Sequence, residues 1–222
     1  MSFPNAAKGI KRIYLAEILK LIGYICLILA AIVAVVAFAA LGDEASDAAG
    51  ALSLGGLIGT IVLVVVFGVL MITAFIMNLV GYINARNDNE NFKTALVFLI
   101  VDIVFSIISL FIINNGLGSI LYSLSTLSET LATIFVIAGV MQIAHQLGRN
   151  DINKKGTTVL KLIIATECIT FVLSFISTFF RNDTTSILSV VLFLGSLLLS
   201  FIRYILFLSF LSKSKRMLLD HQ

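Results

Sequence analysis

The sequence predicts an all-α fold: an integral membrane bundle of six transmembrane helices, built as three parallel two-helix repeats. Three observations carry this prediction. Of the 222 residues, 59% are hydrophobic and only 12% charged, about half the charged share of a soluble domain. Six apolar stretches reach the roughly 20 residues that a helix needs to cross the hydrocarbon layer. Thirteen of the fifteen Lys and Arg residues fall on one side of the resulting weave. This arithmetic excludes soluble globular, disordered, collagenous and disulfide-framework classes. A membrane barrel is excluded too, because the runs are too long and lack the ten-residue alternation of barrel strands.

The expected helices occupy 20–41, 51–80, 94–113, 118–144, 159–180 and 186–211. Breakers separate them: Gly42-Asp43-Glu44 and Gly50, then Asn114-Asn115-Gly116, then Arg181-Asn182-Asp183. The chain reads as one transmembrane domain over 1–222, with hairpins near 10–85, 92–148 and 155–212. Lys8, Lys11, Arg12 and Lys20 lie at the N-terminal side of the first helix. Arg86 and Lys93 lie in the second connection, and Arg149, Lys154, Lys155 and Lys161 in the fourth. Lys213, Lys215 and Arg216 follow the sixth helix. The opposite side carries Arg181 with Asp43, Glu44, Asp47 and Asp183. The bias of Lys and Arg toward cytoplasmic loops places both termini in the cytoplasm, and the expected location is the plasma membrane.

Ahead of the first helix, Lys8, Lys11 and Arg12 alternate with Ile10, Ile13 and Tyr14. This pattern reads either as an interfacial lead-in against anionic headgroups or as plain flanking charge. Ala37-Phe38-Ala39 resembles a signal-peptide cleavage site. The apolar run before it is longer than the roughly 7–15 residues of a signal h-region, so a retained helix is expected. Cys26, Ala30, Ala34 and Ala37 form a small-residue stripe on helix one. Helix two carries Gly55-x-x-x-Gly59 and Gly56-x-x-x-Thr60. Small residues at this spacing let backbones approach closely, against each other or a second subunit.

Four ionisable residues fall inside the later spans: Asp102, Glu129, Glu167 and Arg203. Such a charge costs about 2.5–3.5 kcal/mol at the bilayer centre on insertion scales, so all four are expected to face the bundle. Asp102, Glu167 and Arg203 lie at similar depth, which allows Arg203 to pair with either acid; Glu129 lies deeper. Each belongs to a polar stripe at helical spacing. Helix three has Asp102, Ser106 and Ser109. Helix four has Ser119, Ser123, Thr126, Thr130 and Thr133, widened by Ser125 and Glu129. Helix five has Glu167, Thr170, Ser174 and Thr178, and helix six Thr185, Ser189, Ser196, Ser200 and Arg203.

Ala85-Arg86-Asn87-Asp88-Asn89-Glu90 recurs 63 residues later as Gly148-Arg149-Asn150-Asp151-Ile152-Asn153. This spacing is the sequence basis for the repeated hairpins. Three such hairpins are the plan of mitochondrial carriers, but that family's P-x-[DE]-x-x-[KR] motif is absent, since the only proline is Pro4.

Enzymatic motifs are missing. His145 and His221 have no Cys or carboxylate at metal-ligand spacing, and Cys26 and Cys168 form no C-x-x-C pair. There is no phosphate loop, nucleophile elbow or H-E-x-x-H. No cofactor, metal or nucleic-acid partner is expected; the partners are the bilayer and a second copy or another membrane subunit. Asn182-Asp183-Thr184 matches a glycosylation sequon by coincidence of composition. Two functions fit. In the first, a non-catalytic scaffold or partner subunit uses its polar residues to fasten helices. In the second, a small transporter or transporter subunit binds a proton, cation or cationic solute through Glu129 with Asp102 or Glu167.

Overall fold

The computed structural model describes residues 2–42, 47–112, 116–179 and 185–221, with side chains at 2–39, 55–112, 117–118, 120–170 and 195–221. Among the described residues the chain is helical, without strands: α1 (Pro4–Gly42), α2 (Asp47–Ala85), α3 (Glu90–Phe111), α4 (Gly116–Gln146), α5 (Asn150–Phe179) and α6 (Thr185–Asp220). Five helical stretches are long and apolar enough to cross a membrane: Pro4–Ala39, Gly55–Ala85, Glu90–Phe111, Ile120–Gln146 and Gly195–Asp220. The expected fifth span, 159–180, runs beyond the described side chains. The turns at Asp43-Glu44, Asn114-Asn115 and Arg181-Asn182-Asp183 also lie outside the described residues, as does the sequon.

The chain divides into two compact units. The first comprises Met1–Lys11 and Gly81–Gln222. Within it α4 is the shared wall, packed against α3, α5 and α6, and α5 packs along α6. Its fully buried side chains include Phe92 of α3, Val136, Val140 and Ile143 of α4, Ile152 and Ile163 of α5, and Phe210 and Met217 of α6. They gather at the end that holds the α2–α3 and α4–α5 loops. Beyond them, Val104, Ile107, Leu110, Leu127, Leu198 and Phe201 are exposed. Apolar surface on that scale is a liability in water and the expected coat of a helix in lipid.

Local chemistry sets the helix ends. Asn89 caps α3, its side chain accepting from the Asn91 amide at 2.9 Å, and Glu90 adds an acid to the first turn. α4 ends in a Schellman motif around Gly148 at φ +69°. The Arg149 amide donates to the Ala144 carbonyl at 2.8 Å, and the Gly148 amide to that of His145 at 3.1 Å. Pro4 suits the first position of α1, where no amide hydrogen is needed. The Ala6 amide there is met by Asp88 from the α2–α3 loop, whose Oδ2 accepts from it at 2.7 Å, while its Oδ1 accepts from the Asn5 side-chain Nδ2 at 2.9 Å.

The lead-in is therefore the start of α1, and its apolar residues Ala6, Ala7 and Ile10 are buried. Lys8 and Lys11 stay exposed. Gly9 lies against α2 so closely that a Cβ there would stand 2.5 Å from the Gly81 carbonyl oxygen.

The 63-residue correspondence does not carry over into the loop geometry. α3 starts at Glu90, leaving Asp88 in the loop, whereas α5 starts at Asn150 and takes Asp151 into its first turn. Gly148 supplies a left-handed cap where its counterpart Ala85 is still helical.

The second unit, Arg12–Val80, holds the rest of α1 and α2. Of the small residues flagged in sequence, Gly56 makes the closest approach: a Cβ added there would stand 2.7 Å from that of Ala37. Gly59 meets only Val33 Cγ1 at 4.0 Å, and Gly55 has open space around it. Ala30 and Ala37 are buried on the facing helix.

Candidate functional site

The polar side chains inside the first unit form two separate clusters, not one shared layer. Arg203 of α6 joins Glu167 of α5 through its Nη1 and the acid's Oε1. Thr130 of α4 also donates to that oxygen, at 3.3 Å. Three helices thus meet on one carboxylate oxygen, and Thr130 itself is buried. The ion pair is only partly covered, with 31% of the Arg203 side chain and 37% of that of Glu167 accessible.

Asp102 sits elsewhere, on the seam between α3 and α4. Ser125 of α4 donates to its Oδ1, Ser106 one turn along α3 reaches the same oxygen at 3.4 Å, and the two serine hydroxyls lie 2.7 Å apart. Asp102 has no ion pair among the described residues; its partners are hydroxyls. Between Asp102 and the loops, Phe98 of α3 stacks on Phe135 of α4 at 5.5 Å. Asn89 and Asn91 both donate to Gln142 Oε1, at 3.0 and 2.9 Å.

Glu129 is exposed. At about 100° per residue it shares an arc of α4 with Ser125 and Val136, yet both of those are buried. The packed face of α4 opens at Glu129. The other expected stripe residues contribute less. Ser123, Thr126, Thr170 and Ser200 are exposed. Thr126 and Thr170 donate to carbonyls one turn back on their own helices, Tyr122 at 3.1 Å and Thr166 at 2.9 Å. The Ser174 side chain lies outside the described residues, with those of Ser119, Thr178, Thr185 and Ser189.

A third cluster, absent from the sequence reading, lies within the second unit. Glu17 of α1 is 6% exposed and Asn78 of α2 is 4% exposed. Asn78 Nδ2 donates to Glu17 Oε1 at 3.1 Å, and Lys20 Nζ stands 2.9 Å from the same oxygen. Asn78 Oδ1 is buried without a hydrogen-bond partner. The usable signal was Asn78 itself, an amide in an otherwise apolar run, together with Glu17 one helical turn before Lys20.

The three clusters share one plan. In each hairpin the first helix supplies a carboxylate, and the second supplies a donor that holds it: Asn78 for Glu17, Ser125 for Asp102, Arg203 for Glu167. Each carboxylate lies roughly 18–26 Å from the start of its own helix.

At the loop end the charges are of another kind. Arg149 grips Asp151 through Nε and Nη2 at 3.0 and 3.1 Å. These hydrogen bonds hold the Asp151 carboxyl below its ordinary range and raise the Arg149 guanidinium. Lys155, ahead of the expected fifth span, donates to Ser209 of α6. Burial, and next the Lys213 ammonium, push its own ammonium below the usual lysine value. Among the described residues no group of three or more His, Cys, Asp or Glu stands close enough to hold a metal. Cys26 and Cys168 are free thiols.

Comparison with protein-family models, curated proteins and solved structures finds no match.

Proposed function

We propose that this chain is a non-catalytic membrane scaffold or partner subunit. It crosses the plasma membrane six times as three hairpins, with both termini cytoplasmic, and pairs with a second copy or another membrane protein. The observation that carries this reading is the Thr130–Glu167–Arg203 junction, where one carboxylate oxygen ties α4, α5 and α6 together. Asp102 and Glu17 are likewise held by neighbouring side chains. Ser and Thr bonds of this kind contribute about 0.6 kcal/mol each between membrane helices, so they act by specifying which helix faces which. The test is reconstitution of the purified chain in liposomes. The scaffold reading expects no proton or alkali-cation flux above empty vesicles, and sustained flux would overturn it.

A second reading, a small transporter or transporter subunit for a proton, cation or cationic solute, draws on two observations. Asp102 has only hydroxyl partners, and Glu129 is exposed on an arc whose neighbours are buried. An intramembrane acid held by hydroxyls, as Asp102 is, suits cation handling. This reading expects flux in the same liposomes that Glu129→Gln and Asp102→Asn abolish while leaving the protein folded. Unchanged flux in both variants would remove these residues from the pathway.

A further inference from the structure

Lys155 presents the inverse of the Asp102 problem. Its ammonium is half-buried between α5 and α6, and its hydrogen-bond partner is the Ser209 hydroxyl. Ser209 and Lys213 are one turn apart on α6, so Lys213 stands above the hydroxyl on the same face. The two ammonium groups are close enough to repel, and that repulsion adds to the burial that already disfavours the Lys155 charge.

Two acids at this end of the bundle are directed to Arg149. Asp151 is bound bidentately by Arg149, and the field of Asp220 also falls on Arg149. The position is fixed by packing next door. A Cβ on Gly156 would stand 2.5 Å from Met141 Cγ and 3.1 Å from the Phe210 ring, so α4, α5 and α6 are in close contact at the residue following Lys155. Two cations and a hydroxyl are therefore held on adjacent helices, and among the described residues neither cation has an ion pair with a carboxylate.

We propose that Lys155, Ser209 and Lys213 form a phosphate-binding site at the basic end of α5 and α6, filled by the headgroup of an anionic phospholipid. The three groups offer ammonium and hydroxyl hydrogens to the oxygens of one phosphate. Clustered basic side chains beside a membrane-spanning helix are the chemistry that attracts such headgroups. Anion binding removes the Lys155–Lys213 repulsion and ties the start of α5 to the end of α6. The site shares no residue with the three carboxylate clusters, and its occupancy is independent of whether the chain is a scaffold or a transporter.

The experiment is native mass spectrometry of the full chain in detergent, titrated in parallel with phosphatidylglycerol, phosphatidylcholine or inorganic phosphate. The wild-type chain is expected to retain phosphatidylglycerol over phosphatidylcholine. The double variant Lys155→Gln/Lys213→Gln should bind it roughly thirtyfold more weakly, the effect of two interfacial charges. Lys213→Gln alone, at an exposed position that leaves the packed Lys155 stem intact, should lose about fivefold. Phosphate that binds and competes with the lipid in the wild type but not in the double variant supports the same site and shows that free phosphate can fill it. Equal retention of the two lipids would overturn the proposal. So would phosphatidylglycerol binding that the variants leave unchanged.

Discussion

Oδ2 of Asp88 accepts a hydrogen bond from the backbone amide of Ala6 at 2.7 Å, although the two residues are 82 positions apart. The start of α1 is thus capped by the loop that joins α2 to α3, within the first unit. An acid at a helix N-terminus both satisfies an orphan amide and complements the helix dipole. Asp88→Ala is expected to cost about 1 kcal/mol, and Asp88→Asn less, since its amide oxygen can still accept. Thermal unfolding in detergent reads the first effect. Faster tryptic cleavage at Lys8 and Lys11 in the Ala variant reads the local release of the segment. Identical cleavage in both proteins would mean that burial of Ala6, Ala7 and Ile10 alone anchors it.

The helices were legible because an apolar run of 20 or more residues has few other options in water or lipid. The Gly148 cap and the Asn89 cap could also be anticipated, since each rests on a residue with a local conformational reason to be there. The partner of Arg203 was not legible. Asp102 and Glu167 lie at similar depth in sequence, and depth alone says nothing of which neighbouring helix each side chain meets. Periodicity puts Glu129 on one arc of α4 with Ser125 and Val136, which are buried, yet Glu129 itself is exposed. Whether a neighbour covers that particular position is a matter of how the helices splay, which periodicity does not encode. Glu17 escapes the hydropathy pattern for a simpler reason: the apolar run begins at Lys20, while α1 begins at Pro4 and carries Glu17 in its interior. At the loops the sequence match does not extend to role: Asp88 and Asp151 correspond in sequence, while one caps α1 and the other pairs with Arg149.

Removing Arg203 should strand Glu167. The pair is partly covered, so the expected loss for Arg203→Leu lies between the limits for exposed and buried pairs, roughly 1–4 kcal/mol. Arg203→Leu/Glu167→Leu should recover most of it, because an apolar pair of similar size leaves no uncompensated charge. A double-mutant cycle on thermal stability in detergent gives the coupling directly. Additive losses in the double variant would show that the contact seen between α5 and α6 does not stabilise the bundle.

Gly9 and Gly68 should respond in opposite directions to the same substitution. At Gly9 an added Cβ meets backbone, 2.5 Å from the Gly81 oxygen and 2.9 Å from the Ala85 nitrogen, which cannot move aside cheaply. Gly9→Ala is expected to destabilise by about 1–3 kcal/mol, the usual cost of overpacking. At Gly68 nothing lies within 4 Å, so Gly68→Ala should be neutral or stabilise by up to about 1 kcal/mol through helix propensity. Melting temperatures of the two variants, measured side by side in one detergent, decide the matter. A tolerated Gly9→Ala would mean that α1 and α2 separate at their loop ends without loss.

Lys155 makes stability depend on alkaline pH with a defined sign. Burial first, and Lys213 second, lower its pKa in the folded chain from the ordinary 10.5. Between the lowered value and 10.5 the unfolded chain holds a proton that the folded chain has released, so stability rises with pH across that window. Below the window both states are charged, and the folded state carries the cost of the partly buried ammonium. Thermal stability in detergent, followed from pH 7 to pH 10, should therefore climb more steeply for the wild type than for Lys155→Met, which lacks the titrating group and starts out more stable at pH 7. Lys213→Gln should show an intermediate slope, since it removes the smaller of the two causes. Parallel curves for the wild type and Lys155→Met would show that the ammonium is fully hydrated beside Ser209 and feels neither the burial nor its neighbour.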